Sequence, residues 1–147
     1  MLTLAIQTRF MANHDFDRVI EIDQTSGGDY NWEPDDLHSE WKSRHGVGMV
    51  AVDSDDFTLG FCVYNLNDKE CYEIRHMVVD KSFQRSGIGT SLINRMKDKL
   101  NSNRYILSYN VPEKNLSFQL FLKQMGFKAE LMRHSSGDVF RFKYEKA

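Results

Sequence analysis

A strand pattern that runs into a basic, glycine-containing turn and then into a helix pattern constrains the fold of this chain more than any other feature. Residues 74–79 have the composition of a buried strand, and residues 84–90 form the turn Gln-Arg-Ser-Gly-Ile-Gly-Thr. Apolar residues then recur at helical spacing as far as Leu100. The first N–H groups of a helix lack partners within the helix and carry the positive end of its dipole. Because Gly87 and Gly89 also permit close approach of the backbone, the turn is predicted to bind a diphosphate.

The size and charge of the chain limit the classes of protein to which it can belong. Its 147 residues suffice for one domain with a sizeable hydrophobic core. A formal net charge of −2 does not favour a general nucleic-acid binder. The sequence contains no apolar run of about 18 residues and no signal-peptide pattern. We therefore expect a cytoplasmic protein with no membrane or nucleic-acid partner.

The two cysteines are predicted to be reduced residues of the sheet. Cys62 and Cys71 flank a predicted hairpin turn at Leu66 and Asn67, which would place them opposite each other and leaves a disulfide as the alternative. The sequence has no Cys-x-x-Cys pair and no His/Cys cluster at ligand spacing, so no metal is predicted.

The predicted elements follow one another without a repeat, a linker or a low-complexity segment. Strands are predicted at residues 3–9, 47–52, 57–65, 71–80, 105–110, 127–133 and 139–144. Helices are predicted after an Asn13 N-cap and at residues 35–44, 87–100 and 115–125, the last ended by Gly126. A turn is predicted at residues 135–138. The order β-α-α-β-β-β-α-β-α-β-β indicates an α/β (α+β) domain with a mixed, largely antiparallel sheet of about six or seven strands.

The turn carries a family resemblance. Residues 84–89 resemble the Gln/Arg-x-x-Gly-x-Gly/Ala signature of the GNAT N-acetyltransferase superfamily. Asn115 and the pair Gly126 and Phe127 stand at the spacing of that family's Asn…Gly-Phe segment. The element order is similar to the GNAT fold over essentially the whole chain. The resemblance implies a single acyl-CoA N-acyltransferase domain over residues 1–147, closest in character to ribosomal-protein and N-terminal acetyltransferases.

The resemblance also implies acetyl-CoA as the co-substrate. The pantetheine arm would lie between the strands at 71–80 and 105–110, and the N–H of Met77 would face the thioester oxygen, where negative charge develops. The implied cofactor-binding residues are Met77, Val78, Val79, Gln84, Arg85, Ser86, Gly87, Ile88, Gly89, Thr90, Asn115 and Phe118. Without the resemblance, Gly87 and Gly89 would be explained as part of an ordinary helix start. Arg85 would be explained as a solvated cation, and Asn115 as a helix N-cap.

Glu73 is the predicted general base, because some protein-acetylating GNAT members carry a glutamate at this strand position. A strand carboxylate paired with Arg75 or Lys69 is the alternative. His76 is the second candidate, since imidazole titrates near neutral pH, although a hydrogen-bonded core histidine would explain it equally. Period-2 alternation places Glu73 and His76 on opposite sheet faces unless a bulge intervenes.

The chain departs from the family at the general acid. Many GNAT enzymes carry a tyrosine where this chain has Leu122, which has no proton to give. Water, Tyr109 or Tyr144 remain as substitutes. A second departure is Asn110, an amide where many ribosomal-protein acetyltransferases carry a glutamate, and its predicted role is to orient a water or the substrate amine.

The segment from Thr25 to Trp41 is predicted to border the acceptor. Tyr30 and Trp32 are its predicted substrate contacts, and nearby acidic residues would attract a cationic amine. A solvated acidic helix with its tryptophans in the core is the alternative. The predicted function is transfer of acetyl from acetyl-CoA to a primary amine of a protein, a peptide or a small molecule, by a monomer or homodimer. The alternative is a degenerate GNAT domain that binds acyl-CoA as a sensor or interaction module.

Overall fold

The computed structural model describes residues 5–133 and 138–147. In this part of the chain, seven strands form one sheet in the order β1-β2-β3-β4-β5-β7-β6, and four α-helices cover its two faces. The strands are β1 (Gln7–Phe10), β2 (Gly46–Val52), β3 (Thr58–Asn65), β4 (Cys71–Val79), β5 (Ile106–Pro112), β6 (Lys128–Met132) and β7 (Val139–Glu145). The helices are α1 (Phe16–Ser26), α2 (Pro34–Lys42), α3 (Ile88–Lys99) and α4 (Leu116–Gln124). The predicted element order and fold class are confirmed.

The sheet is antiparallel except between its two central strands. Among the described strands, β4 and β5 alone pair in parallel, as the crossover through α3 requires. The first strand does not include residues 5 and 6, which were predicted to belong to it, and residues 3 and 4 of that prediction lie outside the described residues. The turn predicted at 135–138 lies, apart from Asp138, outside the described residues. None of the described helices is long and apolar enough to span a lipid bilayer.

The predicted N-cap of α1 was wrong. Asn13 begins a 3₁₀ turn, Asn13–Asp15, and α1 follows it at Phe16. The buried carboxylate of Asp15 instead accepts the N–H of Ala12 at 2.7 Å and pairs with Arg9. The start of α1 is therefore held by an ion pair to β1.

Hydrophobic clusters on the two sheet faces hold the helices in place. On one face α3 and α4 pack over residues such as Met49, Ile74 and Leu107, and on the other α1 and α2 cover Val50 and Phe61. Burial of these apolar surfaces is the main stabilising contribution.

Both cysteines are free and buried, which confirms the predicted reduced state. Their predicted opposite placement was wrong. Cys62 pairs with Met77 in the register of β3 and β4, whereas Cys71 pairs with Ile106 of β5.

A bulge in β4 changes which side chains share a face. Val63 pairs with His76 but Tyr64 pairs with Ile74, so Arg75 has no partner in the β3 register. Ile74 and Met77 accordingly both belong to the cluster beneath α3 and α4. Alternation on either side of the bulge places Glu73 and His76 together on the opposite face. The bulge that the alternation argument required is thus present.

The parallel strands β4 and β5 separate beyond the bulge. Their pairing covers residues 71–74 and 106–109. The remainder of β4 pairs with β3 only, so its other edge is open towards β5. This opening, which we call the splay, leads to the turn before α3.

Candidate functional site

A cleft of about 800 Å³ occupies the splay and extends to the starts of α3 and α4. Its walls also include the loop after α1 and the side chain of Tyr30. All the predicted cofactor-binding residues except Ser86 line this cleft. They are Met77, Val78, Val79, Gln84, Arg85, Gly87, Ile88, Gly89, Thr90, Asn115 and Phe118. The structure therefore brings this set together at one site.

The start of α3 exposes backbone donors to the cleft. Gly87 precedes the helix with φ of 84°, and Arg85 also has a positive φ of 68°. The first hydrogen bond into the helix runs from Ser91 N–H to Gly87 O at 2.9 Å. The N–H groups of Ile88 and Gly89 and that of the next residue precede this bond, and no side chain caps them among the described residues. A turn of this kind forms a concave site for an anion.

The two glycines of the turn serve different physical purposes. A Cβ on Gly87 would meet nothing within 4 Å, so its positive φ is what favours glycine there. A Cβ on Gly89 would lie 3.3 Å from the ring of Phe121, so close packing of α3 against α4 favours glycine at this position.

Asp80 fixes the path of the chain between β4 and the turn. Its carboxylate accepts the N–H of Ser82 at 2.8 Å and pairs with Arg18 of α1. Burial opposes ionisation of Asp80, but the hydrogen bonds from Ser82 and Arg18 outweigh it and hold the pKa of Asp80 below its ordinary value. The turn is thereby anchored to α1.

A tyrosine hydroxyl stands in the splay at the predicted oxyanion donor. The N–H of Met77 donates to the hydroxyl of Tyr109 at 3.0 Å, and the Tyr109 ring packs edge-on against Phe118. Burial raises the pKa of Tyr109 well above its ordinary value, so the hydroxyl keeps its proton at neutral pH. Leu122 is fully buried in the core, and Tyr144 packs against Phe127 away from the cleft wall.

Glu73 lies outside the walls of this cleft. Its carboxylate pairs with Arg75 at 2.8 Å, and Arg75 also pairs with Glu40 of α2 at 3.2 Å. The salt bridge that sequence analysis kept as the alternative is thus formed. The general-base role of Glu73 stays a prediction.

The same face of the sheet carries a second, smaller cavity. It measures about 540 Å³, and Trp32 and Arg75 line it with Glu33, Asp36 and Glu40. Trp32, a predicted substrate contact, therefore faces this cavity rather than the main cleft.

Asp23 was missed by sequence analysis. Its fully buried carboxylate approaches His76 Nε2 at 2.7 Å and accepts the backbone N–H of Trp32 at 2.9 Å. The Trp32 ring stacks on the imidazole with centroids 4.7 Å apart. One signal was available, because Asp23 stands four residues after Val19 on the apolar stripe of α1.

The two asparagines singled out from the sequence differ in their surroundings. Asn110 accepts a hydrogen bond from Arg141 Nε at 3.2 Å and does not line the cleft. Asn115 precedes α4 and lines the cleft, and its side chain makes no capping hydrogen bond within the described ranges. The Asn115 amide is therefore available to a ligand.

The fold and the cleft together are typical of one class of protein, in which a mixed sheet is splayed beside a helix whose first N–H groups are uncapped. The family model described as "Acetyltransferase (GNAT) family" matches residues 16–127. The chain therefore belongs to the GNAT acetyltransferase family, and the resemblance stated from the sequence is confirmed. A comparison with curated protein sequences finds no match.

Solved N-acetyltransferase structures share the fold over nearly the whole chain. Ribosomal-protein-S18-alanine N-acetyltransferase from Escherichia coli aligns with a TM-score of 0.81 at 15% identity, covering 96% of this chain and 94% of that chain. Ard1 from Thermoplasma volcanium gives 0.77 at 22% identity, covering 97% and 99%. A variant of spermidine N-acetyltransferase from Vibrio cholerae gives 0.77 at 16% identity, covering 95% and 93%.

Proposed function

We propose that residues 1–147 form a single N-acetyltransferase domain that moves an acetyl group from acetyl-CoA to a primary amine by direct attack in a ternary complex. The observation that carries this proposal is the continuity of one cleft from the uncapped start of α3 into the splay. A diphosphate fits at the start of α3, and an extended arm that ends in a thioester fits in the splay. Membership of the GNAT family supports the same function.

The residues of the cleft suggest how acetyl-CoA would be held. The backbone donors at the start of α3 would bind its diphosphate, while the open edge of β4 at Met77 and Val79 would pair with the pantetheine amides. Asn115 and Phe118 border the same path from α4. The thioester oxygen would take the Met77 N–H that now bonds Tyr109.

Transfer then needs one bond to form and one to break. The amine nitrogen attacks the thioester carbon and gives up one proton to a base, the C–S bond breaks, and its electron pair leaves on sulfur. Met77 N–H would stabilise the oxyanion, and Tyr109 would offer its O–H to the departing sulfur. Because the pKa of Tyr109 is raised above that of a thiol, a hydrogen bond to the thiolate is favoured over complete proton transfer.

The acceptor class is tested with a panel of amines. The structural neighbours named above include enzymes for a protein α-amine and for spermidine, so the panel contains an alanine-starting peptide, a lysine peptide with a blocked N-terminus, and spermidine. Release of CoA thiol with any of them supports transferase activity. An α-amine should react more readily than a lysine amine, because its pKa of about 7.7–8.0 leaves part of it neutral near pH 7.

Binding is measured separately from turnover. Acetyl-CoA at about 100 times its Kd should stabilise the fold by about 2.7 kcal/mol, which a thermal shift detects. A shift without turnover on any amine would favour the degenerate binding module. No shift at millimolar acetyl-CoA would refute the proposed function altogether.

A further inference from the structure

His76 and Asp23 form a buried pair in which the hydrogen bond determines which imidazole nitrogen carries the proton. The distance from His76 Nε2 to Asp23 Oδ1 is 2.7 Å, and a carboxylate can only accept. Nε2 must therefore carry the proton in this hydrogen bond. In the neutral imidazole the lone pair then resides on Nδ1, which makes Nδ1 the basic atom.

This basic atom is not sealed in the core. In the described part of the chain, Nδ1 has no hydrogen-bond partner. Every fully buried side-chain nitrogen or oxygen in that part does have a partner, so Nδ1 is not fully buried. His76 is 5% exposed, and it is one of the residues that line the main cleft. His76 also directly precedes Met77, whose N–H marks the predicted place of the thioester oxygen.

The ring is held in this orientation from three sides. Asp23 is itself fixed, because its second oxygen accepts the Trp32 N–H at 2.9 Å. The Trp32 ring lies parallel to the imidazole within 7°, and Phe61 of β3 meets the imidazole edge-on at 5.6 Å. A ring held this firmly cannot exchange its two nitrogens without breaking the bond to Asp23.

We infer that His76, positioned by Asp23, accepts the proton of the attacking amine, and this inference rests on the proposed acetyl transfer. As the N–C bond forms, the amine N–H proton passes to His76 Nδ1, and the imidazolium is stabilised by the Asp23 carboxylate. The proton leaves to solvent through the cleft after the product departs. Glu73, tied to Arg75, takes no part in this step.

The charges that act on His76 come from several elements. Asp23 of α1 is in direct contact, and Asp29 and Arg85 line the same cleft from the loops before α2 and α3. From β5, the neutral hydroxyl of Tyr109 faces the cleft. The Asp23 carboxylate is the charged group in direct hydrogen-bond contact with the imidazole, so its removal should loosen the hold on the ring.

The test is the pH profile of kcat/KM for the first amine of the panel that the wild-type protein acetylates. His76→Gln keeps a polar group beside Asp23 and should lower kcat/KM about 10²-fold to 10³-fold, with loss of the acidic limb and an acetyl-CoA Kd changed less than about threefold. Asp23→Asn weakens the hydrogen bond that orients the imidazole and should lower kcat/KM while the acetyl-CoA Kd stays within about threefold. The matched control, His38→Gln, alters an exposed histidine outside both cavities and should leave the profile unchanged.

A second measurement needs no variant that could misfold. The imidazole nitrogens of His76 in the wild-type protein, followed by NMR, should titrate with the same midpoint as the acidic limb of the rate. A mismatch overturns the inference, as does a His76→Gln protein that retains the limb while Glu73→Gln loses it. Absence of wild-type turnover with every amine refutes the proposed function instead, so the two failures are distinguishable.

Discussion

Tyr109→Phe should have opposite effects on acetyl-CoA binding and on transfer. The substitution removes one hydroxyl and keeps the ring that packs against Phe118. In the free protein, Met77 N–H loses its acceptor at 3.0 Å. In the complex, the thioester oxygen would occupy that N–H whether or not the hydroxyl is present. The variant therefore destabilises the free protein more than the complex.

The expected magnitudes follow from this one hydrogen bond. Its net contribution is about 1 kcal/mol, and no cavity is created, so Tm without ligand should fall by about 2–4 °C. The same free energy appears as up to about fivefold tighter acetyl-CoA binding. Transfer loses the donor that faces the departing sulfur, so kcat should fall about 10²-fold.

Three measurements on two variants test this reasoning. Thermal denaturation, calorimetric titration with acetyl-CoA and steady-state CoA release are compared for Tyr109→Phe and for Tyr72→Phe. Tyr72 donates a long 3.4 Å hydrogen bond to Lys99 O outside the cleft, so it controls for loss of a sheet tyrosine hydroxyl. An unchanged kcat in Tyr109→Phe would refute the catalytic role, and weaker acetyl-CoA binding would refute the competition for Met77.

Three further predictions concern the turn, the acid limit of stability and the missing family tyrosine. Gly89→Trp should place a bulky side chain against Phe121 in the cleft wall and abolish acetyl-CoA binding in calorimetry, and retained binding would remove the turn from the site. The folded-state pKa of Asp80 is lowered, so its pair with Arg18 stabilises the fold above about pH 4, and this stabilisation is lost as pH falls through the lowered pKa. Asp80→Asn should therefore make the free energy of unfolding depend less on pH in this range. The control Asp55→Asn, at an exposed carboxylate, should leave that dependence unchanged. Leu122→Tyr should overpack the core and lower the free energy of unfolding by about 1–3 kcal/mol without a gain in kcat, and a faster, equally stable variant would contradict this.

Local patterns predicted the fold because they record local physics. Helical spacing before Leu100 and glycine at positions 87, 89 and 126 mark elements and turns that neighbouring residues determine. The observed α3 and the positive φ of Gly87 and Gly126 agree with those patterns. The element order and the geometry of the turn before α3 were therefore accessible from the sequence, and anion binding by this turn stays a prediction.

The contacts at the centre of the site were not accessible in the same way. His76 meets Asp23 across 53 positions of sequence, and Met77 meets Tyr109 across 32. Both contacts depend on how helices and strands pack, which no local period encodes. The bulge at Arg75 inserts one residue into β4 and thereby reverses the face on which later side chains lie.

The proposed anion site at the start of α3 has a consequence for which side chains of the turn can be replaced. The donors at the start of α3 belong to the main chain, and replacing the exposed side chains of Ser86 or Thr90 leaves those donors in place. Substitutions at such positions can change the chemistry of the surface without removing the backbone donors that would bind the ligand. The fold accordingly persists here at 15% identity to a solved structure.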